Sequence, residues 1–424
     1  MKKILIVSYY FHPYTNIAHK RLYYFARSLM DNGYDVTVMT RQYNGNEKLS
    51  EDININSKSN EVKEFQLEGM RVIAVPYRNS VFHFLSGKRN GISKFLLKIY
   101  LFLTNLFGIL QIDAHNNTSF KKHLKILCKS ESFDYALLSS PPSNMVGLAA
   151  WIYSNYKTKI IIDFRDYFYR NKLRKTGSLP FFSNLFYHIQ RFHIQRFMNS
   201  IRLKKIIVAS KTIGELLGYD ATVILNGYAE TDKIEEIKSS TFEVSYTGTI
   251  YPSDDFRFII DGFTRFLQQL KSTENIRFNF IGTDNLLFEE FVGANKYHAN
   301  YSIQNQRIPS EELKKVIERS SILLSIGWDG WKGIYTGKFF EYLGYKKCIL
   351  LAPNDHDVLE DLLNETHAGS FANTPNEMAE YLMEWYKEWT MNGKITCNHD
   401  AEAIQKYSRK SQNQQLSNLF GDHF

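Results

Sequence analysis

Apolar runs of strand length alternate along this chain with segments whose apolar residues recur at helical spacing. Ile4–Ser8 is the first run, and Lys20–Met30 follows with Leu22, Phe25, Ala26 and Leu29 on one helical face. Asn32-Gly33 ends that helix, and Asp35–Thr40 (DVTVMT) is β-branched and strand-like. Arg71–Pro76, Tyr135–Ser139, Lys159–Asp163 and Lys205–Ala209 continue the strand series. Near-continuous apolar strands separated by helical segments predict a parallel sheet buried on both faces.

A second series begins at Phe242–Thr247 and continues through Arg277–Gly282, Ile322–Ile326 and Cys348–Ala352. The polar stretch Tyr228–Ser240 lies between the two series. The pattern therefore predicts two doubly wound halves: residues 1–228, a linker at 229–241, and residues 242–400. Ala401–Phe420, with Ile404, Tyr407, Leu416 and Phe420 spaced along it, predicts a helix, and 401–424 is expected to pack back on the first half. Glu51–Glu61 reads as a loop. Sheets of this kind bind ligands at the carboxyl ends of their strands, with phosphates near helix N-termini.

Length agrees with that division, since 424 residues exceed what one core usually organises. A hydrophobic fraction of 44% and a charged fraction of 23% exclude a disordered chain. The formal net charge of +8 implies an anionic partner without choosing among nucleic acid, lipid and phosphorylated substrates. Cys128, Cys348 and Cys397 are far apart and follow no metal-ligand spacing, so neither a zinc site nor a disulfide framework is expected, which fits a reducing cytoplasm. The N-terminal MKKILIVSYYF reads as a buried strand rather than a signal peptide, because polar residues begin at His12. The longest apolar run, Phe95–Leu110, is interrupted by Lys98, Thr104, Asn105 and Gly108 and falls short of the roughly 20 residues a spanning helix needs.

The segment richest in chemistry is Gly337-Lys338-Phe339-Phe340-Glu341-Tyr342-Leu343, before the strand CILLA. A base three residues ahead of a carboxylate at a helix start suits a nucleotide sugar: ammonium and amide groups hold phosphate, and the carboxylate accepts from ribose hydroxyls. This segment resembles the donor-site motif of bacterial glycosyltransferase family 4. Other stretches resemble that family's landmarks in order: the opening loop and helix from Ser8 to Leu29 with Arg21, then Ser139-Ser140-Pro141-Pro142, Asp163-Phe164-Arg165-Asp166 and Asn226-Gly227. Tyr246-Thr247-Gly248-Thr249-Ile250-Tyr251, Phe280-Ile281-Gly282, Arg307-Ile308-Pro309 and His367-Ala368-Gly369 follow. Each motif alone is weak, and the combination carries the resemblance over about 400 residues.

The resemblance implies a GT-B fold (two Rossmann-like domains facing a cleft), a nucleotide-sugar donor and retention of configuration. Glu341 would hold the ribose, Lys338 and Gly337 would lie at the diphosphate, and Gly248 and Thr249 would bring backbone to the phosphates, with Arg307 beside them. His12, Asn16, Arg21, Ser140 and Arg165 fall on the acceptor or phosphate side. Asp166 is a candidate near the reacting centre, with a buried Asp–Arg pair as the alternative reading. The family's first glutamate would fall at 333, which is Gly333 here, leaving Asp329 as the nearest substitute for a sugar-hydroxyl contact.

No cofactor or metal is expected. Asp355-His356-Asp357 and Asp254-Asp255 sit in loops, and no Walker or Gly-x-Ser-x-Gly pattern occurs. Lys88–Lys129 and Tyr167–Lys205 mix bases with aromatics and point to an anionic membrane surface, the alternative being core helices with solvated basic faces. The combined expectation is a cytoplasmic, peripherally membrane-bound transferase using a glycan or lipid-linked acceptor in lipopolysaccharide or polysaccharide synthesis, with no nucleic-acid partner. A nucleotide-sugar epimerase and a non-catalytic membrane scaffold are the alternatives.

Overall fold

The computed structural model describes residues 1–14, 17–44, 56–78, 81–86, 91–108, 114–174, 181–230, 239–251 and 255–420. The chain forms two compact units, Met1–Leu225 with Gln412–Phe424, and Asn226–Ser411. Most of the expected linker at 229–241 and half of the expected loop at Glu51–Glu61 lie outside the described residues.

The N-terminal unit runs β1 (Lys3–Ser8), α1 (Ile17–Asp31), β2 (Asp35–Arg41), β3 (Lys63–Leu67), β4 (Met70–Val75), α2 (Val81–Ser86), α3 (Gly91–Leu106), α4 (Ala114–Ser130), β5 (Tyr135–Ser140), α5 (Asn144–Tyr156), β6 (Lys159–Phe164), α6 (Phe181–Ser200), β7 (Lys204–Val208), α7 (Lys211–Leu217) and β8 (Thr222–Val223). Its sheet has the order β3-β4-β2-β1-β5-β6-β7-β8. All neighbours are parallel except β3 and β4, a hairpin turned at Glu68-Gly69 with both residues at positive φ. β3 escaped the sequence reading because it is mostly exposed and lacks a continuous apolar run.

The C-terminal unit contains β9 (Phe242–Thr247), α8 (Phe256–Gln268), β10 (Ile276–Ile281), α9 (Leu286–Gly293), β11 (Tyr301–Gln304), α10 (Ser310–Arg319), β12 (Ile322–Ser325), α11 (Gly337–Tyr345), β13 (Cys348–Leu351), α12 (Val358–Thr366), β14 (Gly369–Phe371), α13 (Pro375–Asn392) and α14 (Ala401–Lys406). Its sheet is fully parallel in the order β11-β10-β9-β12-β13-β14. The core between sheet and helices is strongly aromatic, with Phe263 stacked on Phe278 at 3.7 Å between ring centres. Ring pairs of this kind add to area burial.

Two expectations change. The helix expected over 401–420 is broken into α14 and α15 (Arg409–Ser417). At the break the backbone pairs with Tyr228 instead of continuing its own ladder: Tyr228 N–H donates to the Tyr407 carbonyl at 3.0 Å, and Arg409 N–H to the Tyr228 carbonyl at 2.7 Å. Only the part from Gln412 onward joins the N-terminal unit, where Leu416, Leu419 and Phe420 enter the core beside β1 and α1. The second change concerns cysteine. Cys348 and Cys397 are disulfide-bonded, with Cα atoms 5.7 Å apart and a sequence separation of 49. Spacing could not reveal this pair, because folding brings the start of β13 to the loop before α14. The bonded pair also withdraws the cysteine argument for a reducing compartment.

Candidate functional site

Topology selects the place to look in each unit. In the C-terminal sheet the strand order reverses between β9 and β12, and in doubly wound sheets ligands bind at the carboxyl ends beside such a reversal. Gly248 follows β9 directly, at φ +119, a region that side chains disfavour. Its N–H donates to the Ile281 carbonyl at 2.7 Å, and a Cβ placed on it would lie 2.8 Å from Lys338 Nζ. A Cβ on Gly282, after β10, would lie 3.8 Å from Gly248 Cα and 3.6 Å from Arg307 Cγ. The ends of β9 and β10 thus present backbone without side chains, with the exposed Arg307 alongside.

Lys338 is brought there by α11. The buried Tyr342 hydroxyl accepts the Thr247 N–H at 3.0 Å and meets the Thr247 hydroxyl at 3.0 Å, tying the helix to the end of β9. Burial pushes the Tyr342 hydroxyl up to about 12, so it stays a neutral phenol. One turn earlier, Lys338 Nζ donates to the Tyr246 hydroxyl at 2.6 Å and lies 3.9 Å from that ring's centre. Tyr246 passes the chain on by donating to the Thr249 carbonyl at 2.9 Å. The sequence singled out Lys338 and Gly248, but not that Tyr246 and Tyr342 position them.

Gly337 opens α11. Its N-cap residue, Thr336, contributes no side-chain hydrogen bond, and the buried Thr336 hydroxyl has no partner among the described residues. A helix start without a side-chain cap leaves amide donors and the positive dipole end for an anion. Glu341 is half-buried, three residues past Lys338 and therefore on the same helix face. Asp329 is exposed in the turn after β12, its carboxylate accepting the neighbouring Gly330 N–H at 2.7 Å. Gly333, where the resemblance would put a glutamate, is buried at φ +67 and donates its N–H to Asp357.

In Asp355-His356-Asp357 the first carboxylate caps the helix that follows. Asp355 is buried at the start of α12 and accepts the N–H groups of Leu359 at 2.9 Å and Glu360 at 3.1 Å. Burial raises its carboxyl above the usual range, and those amide hydrogen bonds oppose the rise. Asp254 lies outside the described residues.

In the N-terminal unit the reversal lies between β1 and β5, whose ends carry Ser8 and Ser140. The assignment of Arg21 to the acceptor or phosphate side is corrected here. It is 1% exposed, its Nη2 donates to Asp163 at 2.7 Å, its Nε bridges both Asp163 oxygens at 3.1 Å, and its Nη1 donates to the Ile224 carbonyl at 2.8 Å. Ser139 adds a hydrogen bond to Asp163 at 3.0 Å. Arg21 therefore joins α1 to β6 and the end of β8, and its donors face inward. The buried Asp–Arg pair considered for Asp166 exists, but at Asp163.

Asp166 is exposed, with Arg165 Nε 3.3 Å from its carboxylate, and the Arg165 guanidinium sits 5.3 Å from the Tyr10 ring centre. The backbone N–H of Arg165 donates to the Ser140 carbonyl at 2.9 Å, which places both at one sheet edge. Ser140 is buried, its hydroxyl without a partner among the described residues. His12 is half-buried between Phe65 and His19, and Asn16 lies outside the described residues. One residue at this edge escaped sequence reading. Arg41, ending β2, is buried with its guanidinium carbon 3.3 Å from the Tyr77 ring centre and its Nη1 donating to the Tyr9 hydroxyl at 3.0 Å. A base closing an apolar strand was the available signal.

The class these features define is the two-domain GT-B fold. Three solved structures match the chain over nearly its whole length: sucrose-phosphate synthase from Thermosynechococcus elongatus (10% identity, 99% of this chain and 98% of that one, TM-score 0.59), WaaG, a glycosyltransferase involved in lipopolysaccharide biosynthesis (10%, 99% and 100%, 0.57), and trehalose-6-phosphate from E. coli bound with UDP-2-fluoro glucose (11%, 99% and 99%, 0.61). At these identities the likeness is one of fold. More particularly, residues 263–413, most of the C-terminal unit, match the family model described as Glycosyl transferase-like. Among curated proteins, none matches the chain in sequence.

Proposed function

We propose that the chain is a retaining glycosyltransferase that moves a sugar from a nucleotide-sugar donor to a glycan or lipid-linked acceptor, as in lipopolysaccharide or polysaccharide synthesis. The observation that carries this reading is the convergence of Lys338, the side-chain-free turn at Gly248 and the start of α11 at the β9 strand end. A diphosphate placed there gains a cation, backbone amides and a helix dipole. These groups match where charge grows as the sugar–phosphate bond breaks, on the leaving nucleoside diphosphate. Glu341 would take the ribose hydroxyls, Arg307 the phosphates, and Asp329 a sugar hydroxyl. Ser140, Arg165, His12 and Asp166 would act on the acceptor side, with Asp166 nearest the chemistry. Lys338 supplies cationic charge of its own, so the reading needs no metal. The workplace would be the cytoplasmic face of the plasma membrane.

Thermal unfolding of the pure chain with a panel of nucleoside diphosphates and their sugars, with and without EDTA, tests the proposal. A ligand bound only by the folded state adds about 2.7 kcal/mol at a hundredfold excess over Kd. A shift with one diphosphate, kept in EDTA and lost in Glu341→Ala, supports it. No shift with any diphosphate refutes it in favour of a scaffold, and turnover of the donor without an acceptor would identify an epimerase.

A further inference from the structure

The helix α3 is inverted for a water-soluble protein. Its buried residues are Ser93, Thr104 and Asn105, with Leu97, Tyr100 and Leu101 half-buried, while its other large apolar side chains are exposed. At about 100° per residue, Ile92, Phe95, Ile99, Phe102, Leu103 and Leu106 fall on one face about 100° wide, and all six are exposed. Phe95 is 64% exposed and Phe107, just beyond the helix, 72%. The inward polar donors bond to the helix's own backbone: Thr104 donates to the Tyr100 carbonyl at 2.8 Å and Asn105 Nδ2 to the Leu101 carbonyl at 2.7 Å, while the buried Asn105 Oδ1 has no partner among the described residues. An ordinary amphipathic helix turns its apolar stripe to the core. This one turns it to the outside.

Its neighbours extend the apolar surface. α3 packs against α2 and α6, and these expose Val81, Phe84, Phe181, Leu185 and Phe192. Large apolar side chains exposed together on helices that pack against one another mark an interface rather than a solvated face. The charge beside it has one sign. Lys98 borders the apolar face of α3 and Lys94 lies farther round on the same side, both exposed; Arg196 is exposed on α6, and no Asp or Glu occurs in residues 81–112 or 181–205.

We propose that α3, with the adjoining ends of α2 and α6, inserts its apolar face into an anionic lipid monolayer and lies in the membrane plane. A helix about 24 Å long, apolar on one side with bases at its flank, matches the interfacial geometry in which the apolar face sinks roughly 5–10 Å and the bases meet headgroups. A second copy of the chain fits worse, since it would set bases against bases with no carboxylate in the face to pair them. The proposal rests on the membrane part of the reading above and is independent of its sugar chemistry.

The test is sedimentation of the full chain with phosphatidylcholine vesicles, with and without phosphatidylglycerol. The chain is expected to pellet with the phosphatidylglycerol vesicles. Phe95→Asp/Phe102→Asp should lower that partition at least about tenfold, with an unchanged circular-dichroism spectrum and Tm, because the replaced rings are exposed. Leu286→Asp, an exposed apolar position on α9, should leave it unchanged. Retention in the supernatant with every vesicle, or equal losses for the α3 and α9 variants, would overturn the proposal. Self-association without vesicles, abolished by the α3 variant, would overturn it in favour of a second copy. Thermal shifts by nucleoside diphosphates are read separately, so failure of lipid binding leaves the transfer reading to its own test.

Discussion

The ammonium of Lys338 and the ring of Tyr246 form a double contact: Nζ donates to the phenol oxygen at 2.6 Å and lies 3.9 Å from the centre of the same ring. Residues 92 positions apart thereby fix a cation over the strand end where Gly248 removes the side chain. Tyr246→Phe keeps the ring and removes the hydroxyl. A hydrogen bond to a charged group contributes about 1.5–3 kcal/mol, so the variant should bind a nucleoside diphosphate about tenfold less tightly, and Lys338→Ala less tightly still. Isothermal titration of both variants checks the order. Equal affinities in all three proteins would remove Lys338 from the phosphate site.

Gly248→Ala places a methyl where the ammonium now sits, 2.8 Å from Nζ, on backbone at φ +119. The lysine must leave Tyr246 to admit it. Diphosphate affinity is expected to fall at least about tenfold, with a stability loss of about 1 kcal/mol from the backbone alone. Gly393→Ala is the comparison, because Gly393 also has positive φ but nothing lies within 4 Å of its added Cβ. It should lose stability and keep ligand affinity.

Arg21 and Asp163 make the opposite case, a charged pair spent on architecture. Removing one partner strands a buried charge, so Arg21→Met should cost about 3–5 kcal/mol in urea unfolding. Arg21→Met with Asp163→Leu should cost less than Arg21→Met alone, since no orphan charge remains. A merely additive double variant would mean the pair is not coupled.

The acid limb of stability should depend in part on Glu365. The Tyr407 hydroxyl, and then Lys406, hold its carboxyl below the usual range. A lowered folded value contributes stability that is present above the ordinary carboxylate range and lost as pH falls through it. Glu365→Gln should therefore lose stability near neutrality and show a flatter decline in acid, read as Tm against pH.

Reducing Cys348–Cys397 frees a long loop in the unfolded chain. For a separation of 49 residues the expected cost is about 4 kcal/mol, measured as a lower denaturation midpoint in Cys397→Ser or in reductant. An unchanged midpoint would mean the bond constrains little in the unfolded ensemble.

Much of the fold was legible because its signals are local. The apolar runs at Ile4–Ser8 and Phe242–Thr247 became β1 and β9, central strands buried on both faces, where continuous apolarity has no other stable use. Positive φ at Gly248 and a helix beginning at Gly337 could likewise be expected from residue type and order. Partnership between distant residues was not legible. Arg21 looked like a ligand contact until β6 set Asp163 beside it, and the two cysteines gave no sign of meeting. The stripe on α3 could be counted from its spacing, yet amphipathicity does not say which side faces the protein. Only packing against α2 and α6 turned Phe95 outward and Asn105 inward. Periodicity follows from the backbone geometry of a single element, whereas burial and pairing depend on which elements meet in space.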